Sequence, residues 1–248
     1  MKMFALVFAI AACGSGKTRA PPVTQGPAQT VAMTDRTDHD RKLDAGRKPV
    51  EMLAFFALRA GMHVADLGAG SGYTTELIAR SVGPGGMVIA QDTPNWGVAD
   101  LEKVWQERLA RPGLAQTKHL MRQWDDPLPA DAEGLDAVTF VCAYHDVIAE
   151  KSDPNKLDRA VYAALKSGGT FTIIDNSAKD GSGVADCERL HRIDEKVVRD
   201  DVERAGFKLV EQSDFLRNPK DTRDWNADPD ADPRSHTQDR FVLRFVKP

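Results

Sequence analysis

Cysteine is scarce in this chain. Of 248 residues only Cys13, Cys142 and Cys187 are thiols, and none sits in a C-x-x-C or comparable spacing. That excludes a zinc framework or a disulfide scaffold as the organising device, and no metal is expected. Positive charge is not in excess either. The formal net charge is -4, so no broad basic face is expected and nucleic acid is not the expected partner. No internal repeat is apparent, and the apolar run at residues 3–12 is too short to cross a bilayer as a helix. What is present is a 42% hydrophobic, 28% charged composition, enough for one domain with a sizeable core.

The N-terminus has its own pattern. Lys2 is followed by the apolar run and then Cys13, and Ile10-Ala11-Ala12-Cys13 resembles the lipobox of bacterial lipoproteins. The resemblance implies a signal peptide over 1–12 and a lipidated Cys13 that anchors the domain to a membrane on its extracytoplasmic side. A misplaced start codon would instead leave a cytoplasmic domain. Gly14-Ser15-Gly16-Lys17-Thr18 looks like the end of a P-loop, but Ala11 stands where its first glycine belongs and no strand precedes it. Residues 13–33 are rich in Pro, Gly, Thr and Gln and read as a flexible tether before a domain over 34–248.

From Thr34 to Arg47 the chain is strongly charged, and Asp38, His39 and Asp40 read as a solvated cluster. A helix is expected from Pro49, with Glu51 near its N-terminal dipole. Strands and helices then alternate. Strands are expected over 63–67, 87–90, 117–121, 136–142, 170–174, 207–214 and 241–246, with helices between them. The helices include a continuous one over 187–205. Such alternation implies an α/β fold: a doubly wound, mostly parallel seven-stranded sheet, helices on both faces and the last strand antiparallel. The polar stretch 216–239 is expected over the rim of the sheet.

The informative motif is Asp66-Leu67-Gly68-Ala69-Gly70-Ser71-Gly72, a strand ending in an acid and then a glycine at every second position. Glycines let bare backbone approach a ligand at the crevice where open α/β sheets bind. The dinucleotide fingerprint needs G-x-G-x-x-G, and an acid beside a pyrophosphate is unfavourable, so an NAD-dependent oxidoreductase is the lesser reading. The chain here resembles the class I S-adenosylmethionine (SAM)-dependent methyltransferases. Asp66, Gly68, Gly70 and Gly72 match the first motif of that family, with Ala69 inside the turn. Asp92 matches the acid that holds the ribose hydroxyls, and Asp125 (or Asp126) the residue that meets the adenine. The turn before the fifth strand has Ser167 where the family commonly has proline. Ala143 to Asp146 and Glu188 to Asp194 are similar to a group of predicted bacterial methyltransferases. The resemblance implies a Rossmann-like fold and SAM as cofactor, with a small-molecule acceptor as the leading reading. A module that binds SAM or its demethylated product without turnover is the alternative.

Tyr144, His145 and Asp146 follow the fourth strand at the ligand end of the sheet. His145 is the candidate base, Asp146 its orienting group or a helix cap, and Tyr144 a pocket wall. Asp175 and Asn176 end the fifth strand, Trp96 and Trp124 stand where an adenine could be flanked, and 179–184 reads as a mobile flap. Glu188, His191 and Asp194 form a polar stripe, for which a solvated helix face is favoured over a metal site. Arg47 is read as a surface residue rather than one reaching an anionic substrate, and Cys142 as a small buried hydrophobe.

Overall fold

The computed structural model describes residues 25–228 and 231–248. The expected signal peptide, Cys13 and the Gly14–Thr18 stretch lie outside the described residues. Three helices lead in: α1 (Pro27–Val31), α2 (Asp38–Arg47) and α3 (Pro49–Phe56). Then follow β1 (His63–Leu67), α4 (Tyr73–Val82), β2 (Met87–Asp92), α5 (Val98–Leu109) and β3 (Thr117–Met121). The second half runs β4 (Leu135–Val141), α6 (Tyr144–Ala149), α7 (Pro154–Ala164), β5 (Leu165–Asn176) and α8 (Cys187–Leu190). It ends with α9 (Glu195–Arg204), β6 (Lys208–Ser213) and β7 (Arg240–Val246). Among the described residues no helix is long and apolar enough to cross a membrane.

The sheet order is β3-β2-β1-β4-β5-β7-β6, parallel except for β7, which is antiparallel to both neighbours. The chain winds outward from β1 to β3, then returns to lay β4 beside β1. That reversal opens a crevice beyond the C-terminal ends of β1 and β4. Alternate residues of each strand feed two cores. Val64, Val88 and Val242 pack under α3 and α4, while Ala65, Phe171, Leu243 and Phe245 pack under α7 and α9.

Two expectations change at the front of the domain. Pro27–Val31, within the stretch read as tether, forms a helical turn with Thr30 fully buried. Most of the charged stretch after it folds as α2, and Asp40 turns inward. Asp40 is buried and accepts from Arg108 of α5 at 3.0 Å. Arg108 also donates to Glu76 of α4 at 2.6 Å, which Arg80 and Arg111 reach as well. Asp38 and His39 are exposed as expected of a solvated cluster, whereas Asp40 is part of a buried ion network.

The expected helix over 187–205 breaks into α8 and α9. Arg192 is fully buried, paired with Asp221 at 2.9 Å and donating to the carbonyls of Ser177 and Trp225. Satisfying that guanidinium pulls the chain out of helical register. His191 takes φ 50°, ψ 49°, and Asp194 restarts the helix by accepting from Lys196 N–H.

Candidate functional site

The crevice holds a cavity of about 580 Å³, within the range of about 300–1,000 Å³ usual for ligand sites. Its floor is the turn after β1, contributed by Gly68, Ala69, Gly70 and Ser71. Gly68, Gly70 and Gly72 all have positive φ, at 58°, 56° and 80°, but they do different work. A Cβ on Gly68 would lie 2.6 Å from Ala143 Cβ, and one on Gly72 2.6 Å from Arg108 Cδ. A Cβ on Gly70 would meet nothing within 4 Å. Gly68 and Gly72 allow elements to pack, and Gly70 keeps the floor open. Ala69 N–H is tied to the Gln91 carbonyl at 3.1 Å.

Asp66 sits beneath this turn, where Thr75 and Thr139 donate to its two oxygens at 2.6 and 2.7 Å. Burial outweighs those hydrogen bonds and lifts its pKa to about 6. Asp92 does not line the cavity. It is fully buried and accepts from Gly70 N–H at 2.7 Å, and it is reached by Trp105 Nε1 at 3.1 Å and His119 Nε2 at 2.8 Å. The acid expected to hold a ribose thus anchors the glycine turn. Asp125 is also directed elsewhere, to Lys156 at 3.2 Å, outside the cavity. Trp96 lines the cavity, whereas Trp124 is buried behind it, edge-on to Trp96, with Nε1 donating to Glu150.

Of the triplet after β4, two members face the cavity. Tyr144 instead turns into the core, fully buried, and its hydroxyl donates to Asp158 at 2.8 Å. His145 is buried at the wall, its Nδ1 2.8 Å from Asp175 Oδ1, while its backbone N–H donates to Asp175 Oδ2. Burial disfavours its charge, but Asp175 and Asp146 outweigh burial and push its pKa up to about 9. Two carboxylates within 3.3 Å thus favour its imidazolium form over the free base expected. Asp146 lies 3.3 Å from His145 Nε2 and does not cap α6, which begins without a side-chain cap.

His191 turns into the cavity wall rather than onto a solvated face, its Nδ1 3.3 Å from His145 Nε2. Asp194 leaves the expected stripe to accept from Gly181 N–H at 2.7 Å, which ties the presumed flap to α9. Arg47 corrects another expectation. It lines the cavity with its guanidinium over the Tyr73 ring at 4.7 Å, and among the described residues it has no ion-pair partner. Burial, followed by nearby Arg240, holds its pKa below the usual arginine value. Cys142 also lines the wall with φ 57°, and burial raises its thiol pKa.

The stretch 216–239 closes the remaining side, contributing Ala227, Asp228, His236 and Gln238, with Arg240 of β7 beside them. Asn176 Oδ1, Gln238 Oε1 and Arg240 Nε are buried without a hydrogen-bond partner. Buried polar atoms are nearly always satisfied, so these three atoms around one cavity call for water or a polar ligand there. Gln238 and Arg240 escaped the sequence reading because nothing local distinguishes them from the polar loop they end.

Comparison with known proteins agrees with this architecture. The family model of protein-L-isoaspartate(D-aspartate) O-methyltransferase matches residues 39–108. A ubiquinone/menaquinone biosynthesis C-methyltransferase of Pseudoalteromonas translucida is 28% identical over 127 residues, 51% of this chain and 47% of that protein. A counterpart from Marinomonas is 28% identical over 120 residues, 48% of this chain and 45% of that protein. The chain thus spans about half the length of the curated relatives it matches. Among solved structures, a SAM-dependent methyltransferase from Aquifex aeolicus superposes with TM-score 0.59 at 20% identity, over 86% of this chain and 100% of that one. Aeropyrum pernix fibrillarin with natively bound SAM superposes with TM-score 0.54 at 12% identity, over 82% of this chain and 76% of that one.

Proposed function

We propose, from the class I methyltransferase architecture and SAM cofactor that the fold and relatives indicate, that this chain moves a methyl group from SAM to a small-molecule acceptor. One observation carries the reading. Gly70 lies at φ 56° with open space where its Cβ would be, on the floor of a cavity at the reversal point of the sheet. A turn of that shape admits a ligand against bare backbone.

The residues present fit the cofactor. The Gly68–Ser71 backbone and Trp96 would hold the nucleoside side. Arg47, without a carboxylate partner among the described residues, would take an anionic group, for which the amino-acid carboxylate of SAM is the natural candidate. The orphaned atoms of Asn176, Gln238 and Arg240 would pair with polar groups of cofactor or acceptor. SAM supplies a methyl on a positively charged sulfur, and the protein contributes alignment and a water-poor wall. His145, at the cavity wall with its Nδ1 held by Asp175, would orient a polar group of the acceptor.

Calorimetric titration of the full chain with SAM tests this reading, and absence of binding ends it. Arg47→Gln should weaken SAM binding about tenfold or more, since a charge-assisted hydrogen bond contributes roughly 1.5–3 kcal/mol. An unchanged affinity removes Arg47 from the cofactor site. The alternative reading is a binder without turnover. Methyl transfer to any member of a broad acceptor panel sinks that alternative. The Ile10–Cys13 pattern further supports lipidation at Cys13 and an extracytoplasmic location. Radiolabelled palmitate should label the wild type and spare Cys13→Ala; equal labelling overturns the anchor.

A further inference from the structure

Three side chains from two separate segments, α6 and the end of α8, meet at one point of the cavity wall. His145 Nε2, Asp146 Oδ1 and His191 Nδ1 form a triangle with sides of 3.3, 3.3 and 3.6 Å. Around a tetrahedral ion with ligand bonds of about 2.0–2.1 Å, neighbouring donor atoms stand ~3.4 Å apart. The triangle therefore has the size that one ion would impose. We propose that His145, Asp146 and His191 form a binding site for a divalent transition metal of the zinc class, with its fourth position open to the cavity.

The surroundings of the three ligands are those of a metal site. Asp175 accepts at His145 Nδ1, 2.8 Å away, which leaves Nε2 as the coordinating nitrogen. Asp228 Oδ2 stands 3.8 Å from the far nitrogen of His191, within ion-pair reach but beyond hydrogen-bond distance. Carboxylates behind ligating imidazoles fix their tautomer and raise their basicity. The backbone is bent to make the site, since His191 holds φ 50° while its neighbour Arg192 is anchored in the core. Two imidazoles and one carboxylate suit zinc and its neighbours rather than calcium or magnesium. All three ligands line the cavity of the glycine turn. On the methyl-transfer reading, which the site itself does not need, an acceptor hydroxyl or thiol would take the fourth position. Its proton would pass to water and the resulting anion would attack the methyl carbon. The carbon–sulfur bond would break, with its electron pair returning to sulfur.

The test is titration of the full chain with zinc chloride, with the visible spectrum of the cobalt(II)-loaded protein as a second readout. Expected are one equivalent bound, intense tetrahedral cobalt bands, and at least 100-fold weaker binding by Asp146→Asn and by His191→Asn. Asparagine tolerates the left-handed backbone at 191, so this variant keeps the chain path. Asp175→Asn should weaken binding by about 10- to 100-fold. His39→Ala, on the exposed face of α2, should bind as the wild type does. Absence of stoichiometric binding, or equal binding by His191→Asn, overturns the site and assigns the triangle to a proton shared between the imidazoles. SAM affinity measured on the same samples separates this failure from failure of the methyltransferase reading.

Discussion

Gly68 and Gly70 are two residues apart in one turn, yet alanine should weigh mainly on stability at one and on binding at the other. Both have φ near 57°, so either substitution carries a left-handed backbone cost of about 1–2 kcal/mol. At Gly68 the new methyl would also stand 2.6 Å from Ala143 Cβ and 3.1 Å from Phe140 Cε2. Ala143 Cβ cannot move without its backbone, so overpacking adds about 1–3 kcal/mol. At Gly70 nothing is crowded, and the methyl projects into the space where a ligand would lie. For a chain of this size 1 kcal/mol shifts Tm by about 2–4 °C. Gly70→Ala should therefore lower Tm by roughly 2–8 °C, and Gly68→Ala by at least about 2 °C more. The binding order reverses. Gly70→Ala should lose SAM affinity by tenfold or more, about 1.4 kcal/mol, while Gly68→Ala retains more affinity below its Tm. Differential scanning fluorimetry and calorimetry on the two variants decide it. Equal Tm losses, or wild-type affinity in Gly70→Ala, would refute the division of labour.

Two further outcomes concern stability. Burial, against the Tyr144 hydrogen bond, pushes the Asp158 pKa to about 8, so the folded chain holds a proton that the unfolded chain has released. Folding stability should fall as pH rises toward 8, by at most ~1.4 kcal/mol per unit from this group. Asp66, at about 6, acts with the same sign at lower pH. Asp158→Asn should flatten the upper part of a urea-midpoint profile against pH, and an unchanged slope would exclude Asp158 as its source. Glu76→Gln leaves Arg80, Arg108 and Arg111 without their shared carboxylate and should cost about 3 kcal/mol. A Tm within a degree or two of wild type would show that the remaining acids compensate.

The sheet was legible because its signals are local. The strands at 63–67 and 117–121 end where turn residues and apolar alternation place them. The glycine motif likewise located the cavity. What escaped depends on distant partners. Nothing near His191 announces that Arg192 will be buried against Asp221, so a helical pattern continued on paper through a break in the molecule. Asp92 occupies the expected position, but the Trp105 and His119 that engage it come from α5 and β3. The same holds for Tyr144, whose direction is set by Asp158 on α7. Position along a strand is written locally, whereas the direction of a polar side chain is settled by whatever donor folds against it.

The ion network around Glu76 bears on where the working unit starts. Three arginines converge there, balanced by Glu76 together with Asp35 and Asp40. Two of those three carboxylates precede the first strand by more than twenty residues. A chain shortened to begin at the first motif would keep all three guanidiniums, lose most of their counter-charge and lose Arg47 from the cavity. Any tag, fusion or domain graft therefore belongs upstream of α1, because the lead-in helices are the electrical ground of the helices beside the glycine turn.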